Sequence, residues 1–238
     1  MVLLFLEDNM YKRILLKLSG EALGNPFDTK VLENIAEQIK QLVNDGIEVG
    51  IVVGGGNICR GRTFEKLGLD RRNADYIGME ATVINAQMIE ASLTKIGVDA
   101  KALSTIDVQR VEKYDAEKAN IMLDNKTVCV FGGGTGEPFF STDTASALRA
   151  QDIHAEVILM AKNGVDGVYT ADPNIDPSAT RYDELSFNDI IEKELAVIDL
   201  EAAKICKENK IHAFIFDMAP ENNIVKAAKG ETVGTIIK

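Results

Sequence analysis

One feature constrains this chain more than any other: short apolar runs alternate with stretches of helical spacing along almost its whole length. Residues 13–18, 47–53, 98–103, 127–131, 156–160 and 211–216 read as strands, most of them apolar throughout rather than alternating, as strands buried on both faces are. Between them lie helical patterns. One is capped by Asp28, carries Leu32, Ile35, Ala36, Ile39, Leu42 and Val43 on a single face, and stops at Asp45-Gly46. A second, longer one has Ile77, Ala81, Ile84, Met88 and Ile89 as its apolar stripe. Further helical stretches are expected over 115–123, from about Thr142, over 188–192, 200–209 and 221–228. Strand–helix alternation implies parallel pairing through right-handed crossovers. The expected fold is a three-layer α/β/α sandwich with a mainly parallel central sheet.

At 238 residues the chain suits one domain over 1–238, or two tightly joined lobes of about 1–160 and 161–238 meeting near the Pro-rich tract 169–177. Its 37 acidic and 26 basic residues leave a net charge of −11, which argues against a nucleic-acid or anionic-membrane surface, since both need a basic face. A small anion held in a local pocket remains compatible with that charge. No apolar run approaches the length of a membrane span. The apolar start Met1–Leu6 runs straight into Glu7-Asp8 without a basic leader, so a signal peptide is not expected; residues 1–10 are either a disordered start or an added strand. Cys59, Cys129 and Cys206 are scattered, with no CxxC pair, and read as reduced, mostly buried thiols of a cytoplasmic protein. Two histidines make a His-rich metal site improbable, and no protein metal site is expected.

Three strands discharge into small-residue loops: Leu18-Ser19-Gly20, Val53 to Gly56, and Phe131 to Gly136. Ligands of open α/β sheets bind beyond the carboxyl ends of strands, and glycine lets backbone N–H groups come close to a phosphate. A single such loop is more often just a tight turn; three in one chain point to anion binding. They are neither a P-loop nor a dinucleotide fingerprint, because GxxxxGK[ST] is absent and GxG twice lacks its third glycine. Lys17, inside an apolar strand, reads as an edge-strand charge or, next to Ser19-Gly20, as a cation for a transferring phosphoryl group. Arg60 lies four residues past Gly56 and can grip two oxygens or be a solvated helix residue. Asp143 is either a plain helix N-cap or the group that orients Lys17.

These residues resemble the bacterial-type UMP kinases of the amino-acid kinase family. The resemblance is carried by Tyr11 to Leu23, Val53 to Asn57 with Arg60-Gly61, Asp75 to Met79, Gly134 to Asp143, and Val165 to Pro173. It spans the chain from about residue 11 to the end. It implies transfer of the ATP γ-phosphoryl group to UMP, with Mg²⁺ carried by the nucleotide, in pyrimidine nucleotide biosynthesis. Lys17, Leu18, Ser19, Gly20, Gly56 and Arg60 would hold ATP phosphates, and Asn163, Tyr169 and Asp172 its adenosine part. Gly55, Asp75, Thr135, Gly136, Glu137, Pro138, Phe139, Phe140, Ser141 and Thr142 would surround UMP. Lys17, Arg60 and Asp143 would be the catalytic group. The lobe up to about 160 would take the acceptor, and the remainder ATP. Family members are typically homohexamers, often activated by GTP and inhibited by UTP.

Three departures stand out. The stretch between Glu21 and Asp28 is short where many relatives carry a longer loop linked to GTP control, so the resemblance does not bring GTP activation to this chain. Glu137 replaces a usual Asn and would repel phosphate unless it points away. Gly133 replaces a common Ala, expected only to loosen the turn. Residue by residue, Asp75 is a ribose partner or a surface acid, and Phe139-Phe140 line a base pocket or fill core. Phosphoryl transfer to a carboxylate or carbamate, and a non-catalytic nucleotide-binding protein, are the competing readings.

Overall fold

The structure is a computed structural model that describes residues 11–59, 64, 67–162, 164–171, 173, 175–192, 195 and 197–238. The expectation for residues 1–10 therefore falls outside the described residues. In chain order the elements are β1 (Arg13–Leu18), a 3-10 turn (Gly20–Leu23), α1 (Thr29–Asn44), β2 (Glu48–Val53), α2 (Arg71–Lys95), β3 (Ala100–Ser104), β4 (Glu112–Lys113), α3 (Ala116–Asp124), β5 (Val128–Gly132) and α4 (Thr142–Asp152). They continue with β6 (Val157–Lys162), β7 (Glu184–Leu185), α5 (Phe187–Glu192), α6 (Leu200–Asn209), β8 (His212–Asp217), α7 (Asn223–Ala228) and β9 (Gly234–Ile237).

The strands form one sheet in the order β4-β3-β5-β2-β1-β6-β8-β9-β7. Among the described residues every strand pairing in the sheet is parallel except β8 with β9. The three-layer reading holds, and the reason lies in the side-chain alternation of the strands. On β1, Ile14, Leu16 and Leu18 enter one core with α1, α2 and α7, whereas Leu15 enters the other with α3, α4, α5 and α6. The helix starts follow from short polar caps. The Asp28 carboxylate accepts the N–H groups of Lys30 and Val31, and Asp70, Asp115 and Asp199 cap α2, α3 and α6 in the same way. No helix among the described residues is long and apolar enough to cross a membrane.

Three sequence expectations are corrected. Lys17 is not an edge-strand charge: β1 is central, and Lys17 sits opposite Val52 on one side and Met160 on the other. Asp143 is not the N-cap of α4; Ser141 is, its hydroxyl accepting the N–H groups of Asp143 and Thr144. On α2 the buried face is Met79, Ala81, Thr82, Val83, Asn85, Ala86, Ile89 and Leu93, and Ile84 is 46% exposed. The stripe misleads because α2 lies against glycine loops, which admit small and polar side chains and turn larger apolar ones outward. The thiols are mostly buried, as expected: Cys129 and Cys206 are buried and Cys59 half-buried.

Candidate active site

β1 stands between β2 and β6, so the connections after β1 and after β6 run to opposite halves of the sheet and leave a crevice beyond the strand ends. Lys17 shares the β1 face of Leu15 and points toward α4. Its ammonium lies 2.9 Å from Asp143 Oδ1, and it is 7% exposed. Two largely buried, opposite charges in contact hold each other in place, because either one left alone would carry an uncompensated desolvation cost.

A second cation lies within the field of this pair, and sequence reasoning missed it. Lys162 ends β6, its Nζ 3.4 Å from the Val197 carbonyl. Burial lowers its pKa below the usual lysine value; the positive charge of Lys17 lowers it further, and Asp143 pulls it back up. Lys17, Asp143 and Lys162 are thus one electrostatic unit at the floor of the crevice. The signal was in the sequence, since Lys162 closes an apolar strand two residues before Gly164, much as Lys17 lies near the end of one, three residues before Gly20.

The glycine loops form the walls. Gly54 N–H donates to the Leu18 carbonyl at 2.9 Å, locking the β1 and β2 exits together. A Cβ on Gly20 would lie 2.5 Å from Gly56 N, so only glycine allows the two turns this contact. Ser19 caps the 3-10 turn by accepting the Ala22 N–H, and the Leu18 side chain is buried core. Gly133 corrects the expectation of a mere loosening. It has φ +83°, and a Cβ there would lie 2.3 Å from Thr105 Oγ1, so close approach of Thr105 demands glycine.

Beside this floor is a cleft of about 220 Å³ lined by Gly55, Gly56, Asp75, Glu137, Phe140 and Thr142, among others. Thr135 and Ser141 also line it, as do Cys59, Phe64, Met79 and Thr82, which the sequence did not single out. The Thr135 hydroxyl donates to the Glu137 carbonyl and accepts the Glu137 N–H, and Glu137 itself is exposed at the rim. Asp75 Oδ2 accepts the Phe139 N–H at 2.8 Å, with Arg71 Nε 3.7 Å away. Phe139 has φ +74°, and the Arg71 guanidinium sits 5.4 Å from its ring centre. Phe139 and Phe140 are each 54% exposed, so the core-filling alternative is wrong for both. Pro138 is buried behind them, and Gly136 N–H closes the loop on the Gly133 carbonyl. Ser141 also donates to Asp199, which accepts from Thr144 as well, tying the start of α4 to α6.

Three residues expected at the site, Arg60, Asn163 and Asp172, lie outside the described residues. Tyr169 is placed beyond β6, its hydroxyl donating to Asp166 at 2.9 Å.

The three thiols offer a footprint of the cleft. Burial pushes Cys129 and Cys206 up to about 12, and the charges of Asp143 and Asp199 add to the effect at Cys206. Iodoacetamide is therefore expected to label Cys59 first, and an anionic ligand filling the cleft is expected to slow that labelling. Mass-spectrometric mapping checks both; equal labelling of all three thiols would contradict the placement.

Comparison with known proteins follows the same line. The model of the amino acid kinase family matches residues 12–217. The chain is 46% identical to the uridylate kinase of Pediococcus pentosaceus over 233 residues, covering 96% of this chain and 97% of that one. Its structure is similar to that of UMP kinase from Bacillus anthracis, with a TM-score of 0.93, 40% identity and 96% of each chain covered. It is also similar to UMP kinase from Ureaplasma parvum, with a TM-score of 0.91, 37% identity, and 95% of this chain and 98% of that one covered.

Proposed function

Because this chain belongs to the amino acid kinase family, and its uridylate kinase relatives match it end to end, we propose that it transfers the γ-phosphoryl group of ATP to UMP, giving UDP and ADP. The observation that carries this reading is the largely buried Lys17–Asp143 pair, 2.9 Å apart, beside a glycine-walled cleft. ATP phosphates would lie over Ser19, Gly20 and Gly56 with Lys17 and Arg60. The adenosine end would lie toward Asn163, Tyr169 and Asp172, so that residues from about 161 onward form the ATP lobe. UMP would take the 220 Å³ cleft, with its ribose toward Asp75 and its base toward Phe140.

In the reaction a UMP phosphate oxygen forms a bond to the γ-phosphorus while the bond from that phosphorus to the β,γ-bridging oxygen breaks, leaving ADP. The attacking oxygen is already anionic near neutral pH, so no general base is needed, and catalysis is alignment plus charge neutralisation. Lys17 and Lys162 hold positive charge where the oxygens of the moving group gather negative charge. Asp143 orients the Lys17 ammonium and offsets the repulsion between the two cations. Mg²⁺ would be held mainly by the phosphate oxygens of the nucleotide. Bound there, the ion would add to the charge neutralisation.

The test is ADP release with UMP, CMP, glutamate or carbamate as acceptor. UMP is expected to give the highest kcat/KM; turnover with a carboxylate but not with UMP would overturn the reading. Within the same proposal the enzyme is cytoplasmic, serves pyrimidine nucleotide biosynthesis, is inhibited by UTP and assembles as a homohexamer. The assembly is supported by the outward apolar face of α2, where Tyr76 is 38% and Ile84 46% exposed. Light scattering is expected to give six times the chain mass, and a monomer at micromolar concentration would contradict the assembly.

A further inference from the structure

We propose that Thr82 and Asn85, three residues apart on α2, are positioning residues that clamp the two glycine loops at the separation phosphoryl transfer requires. The proposal rests on the cleft being the acceptor site and assigns its architecture to a single helix face.

Asn85 is fully buried and belongs to none of the cleft walls described above. Its Nδ2 donates to the Gly54 carbonyl at 2.6 Å and to Asn57 Oδ1 at 2.7 Å. Its Oδ1 accepts from Asn57 Nδ2 at 3.1 Å, and the same Asn57 nitrogen reaches the Pro26 carbonyl at 2.6 Å. One buried amide thus holds the turn after β2 and, through Asn57, the segment that follows the 3-10 turn after β1. Thr82, 7% exposed, treats the other loop alike: its hydroxyl donates to the Met79 carbonyl at 2.7 Å and accepts the Gly133 N–H at 2.7 Å.

Burying an amide and a hydroxyl against a sheet is unfavourable compared with burying Leu or Val, unless each polar atom is bonded. Here the bonds go to the glycine turns, the backbone with the most conformational freedom and no side chains to restrain it. A three-residue step along a helix rises about 4.5 Å, so α2 acts as a rigid spacer between the loop after β2 and the loop after β5. A misplacement of about 1 Å in such a site can cost about 10²-fold in rate.

The test joins two readouts. Hydrogen exchange without nucleotide is expected to show faster exchange over residues 54–58 in Asn85→Ala and in Asn57→Ala, with 132–136 unchanged. Thr82→Val is expected to give the opposite pattern, and Thr82→Ser to restore wild-type exchange. In steady-state assays well below the melting temperature, each disrupting variant is expected to lose at least about 10-fold in kcat. The Asn57→Ala/Asn85→Ala double variant should be no slower than the worse single one, because the two residues form one link. Asn57 is only half-buried, so Asn57→Ala keeps the test alive if Asn85→Ala does not fold. Unchanged exchange in both loops, or a lowered melting temperature with kcat intact, would overturn the proposal. A wild-type chain inactive toward UMP would instead remove the acceptor assignment, while the exchange pattern would still decide whether α2 clamps the loops.

Discussion

Lys17→Ala is expected to keep the fold and lower kcat by at least about 10²-fold, the loss of on the order of 3 kcal/mol of transition-state stabilisation. The fold survives because Asp143 is not left with an uncompensated charge: Lys162 is near enough to feel both Lys17 and Asp143. The rate does not survive, because Lys162 alone cannot neutralise charge on both sides of the moving phosphoryl group. The KM for UMP should change far less than kcat, since Lys17 acts on the transferring group more than on the acceptor. A circular dichroism melt beside a coupled ADP-release assay checks both halves. Wild-type kcat in this variant would remove Lys17 from the mechanism.

Asp143→Asn is expected to be as damaging, for a different reason. It removes the carboxylate that pairs with Lys17 at 2.9 Å and whose charge also supports the protonated form of Lys162. Both carboxylate and lysine are largely buried, so the stability loss should be on the order of 1–3 kcal/mol. The pH dependence has a definite sign. The folded-state pKa of Lys162 already lies below the ordinary lysine value. The penalty for keeping it charged is therefore fully present below that folded pKa and is relieved as pH rises toward the unfolded value. Activity needs the cation, so kcat falls as pH rises through the same folded pKa. Asp143 raises that pKa, so its neutralisation moves the alkaline limb of the kcat profile to lower pH. ATP brings replacement negative charge, and it should raise the melting temperature of Asp143→Asn more than that of the wild type. An unshifted alkaline limb together with equal ATP stabilisation would refute the charge unit.

Asp75 shows how far residue types alone can be read. Its place by the cleft was legible, but its bond to the Phe139 N–H, which helps hold a left-handed residue at the cleft edge, was not. No local pattern announces a contact between residues 64 positions apart. Lys162 was legible in principle, since it repeats the strand-end signature of Lys17. Thr82 and Asn85 were hidden in a helix whose pattern pointed to Ile84 and Met88 as core. The helix contacts a row of glycines, and that reverses the usual rule that the largest apolar side chains mark the buried face.

Local chemistry in the sequence was enough to determine the alternation of strand and helix, the cap at Asp28, the mainly parallel sheet and the three glycine exits, because each depends on neighbours within a few residues. Only the tertiary structure decided that Lys17 is central, that Asp143 faces it and is not the cap, and that Lys162 shares its field. Those facts depend on strand order and on which helix lies over which strand, and burial and charge at this site come from residues that meet only when β1, β6 and α4 are packed together.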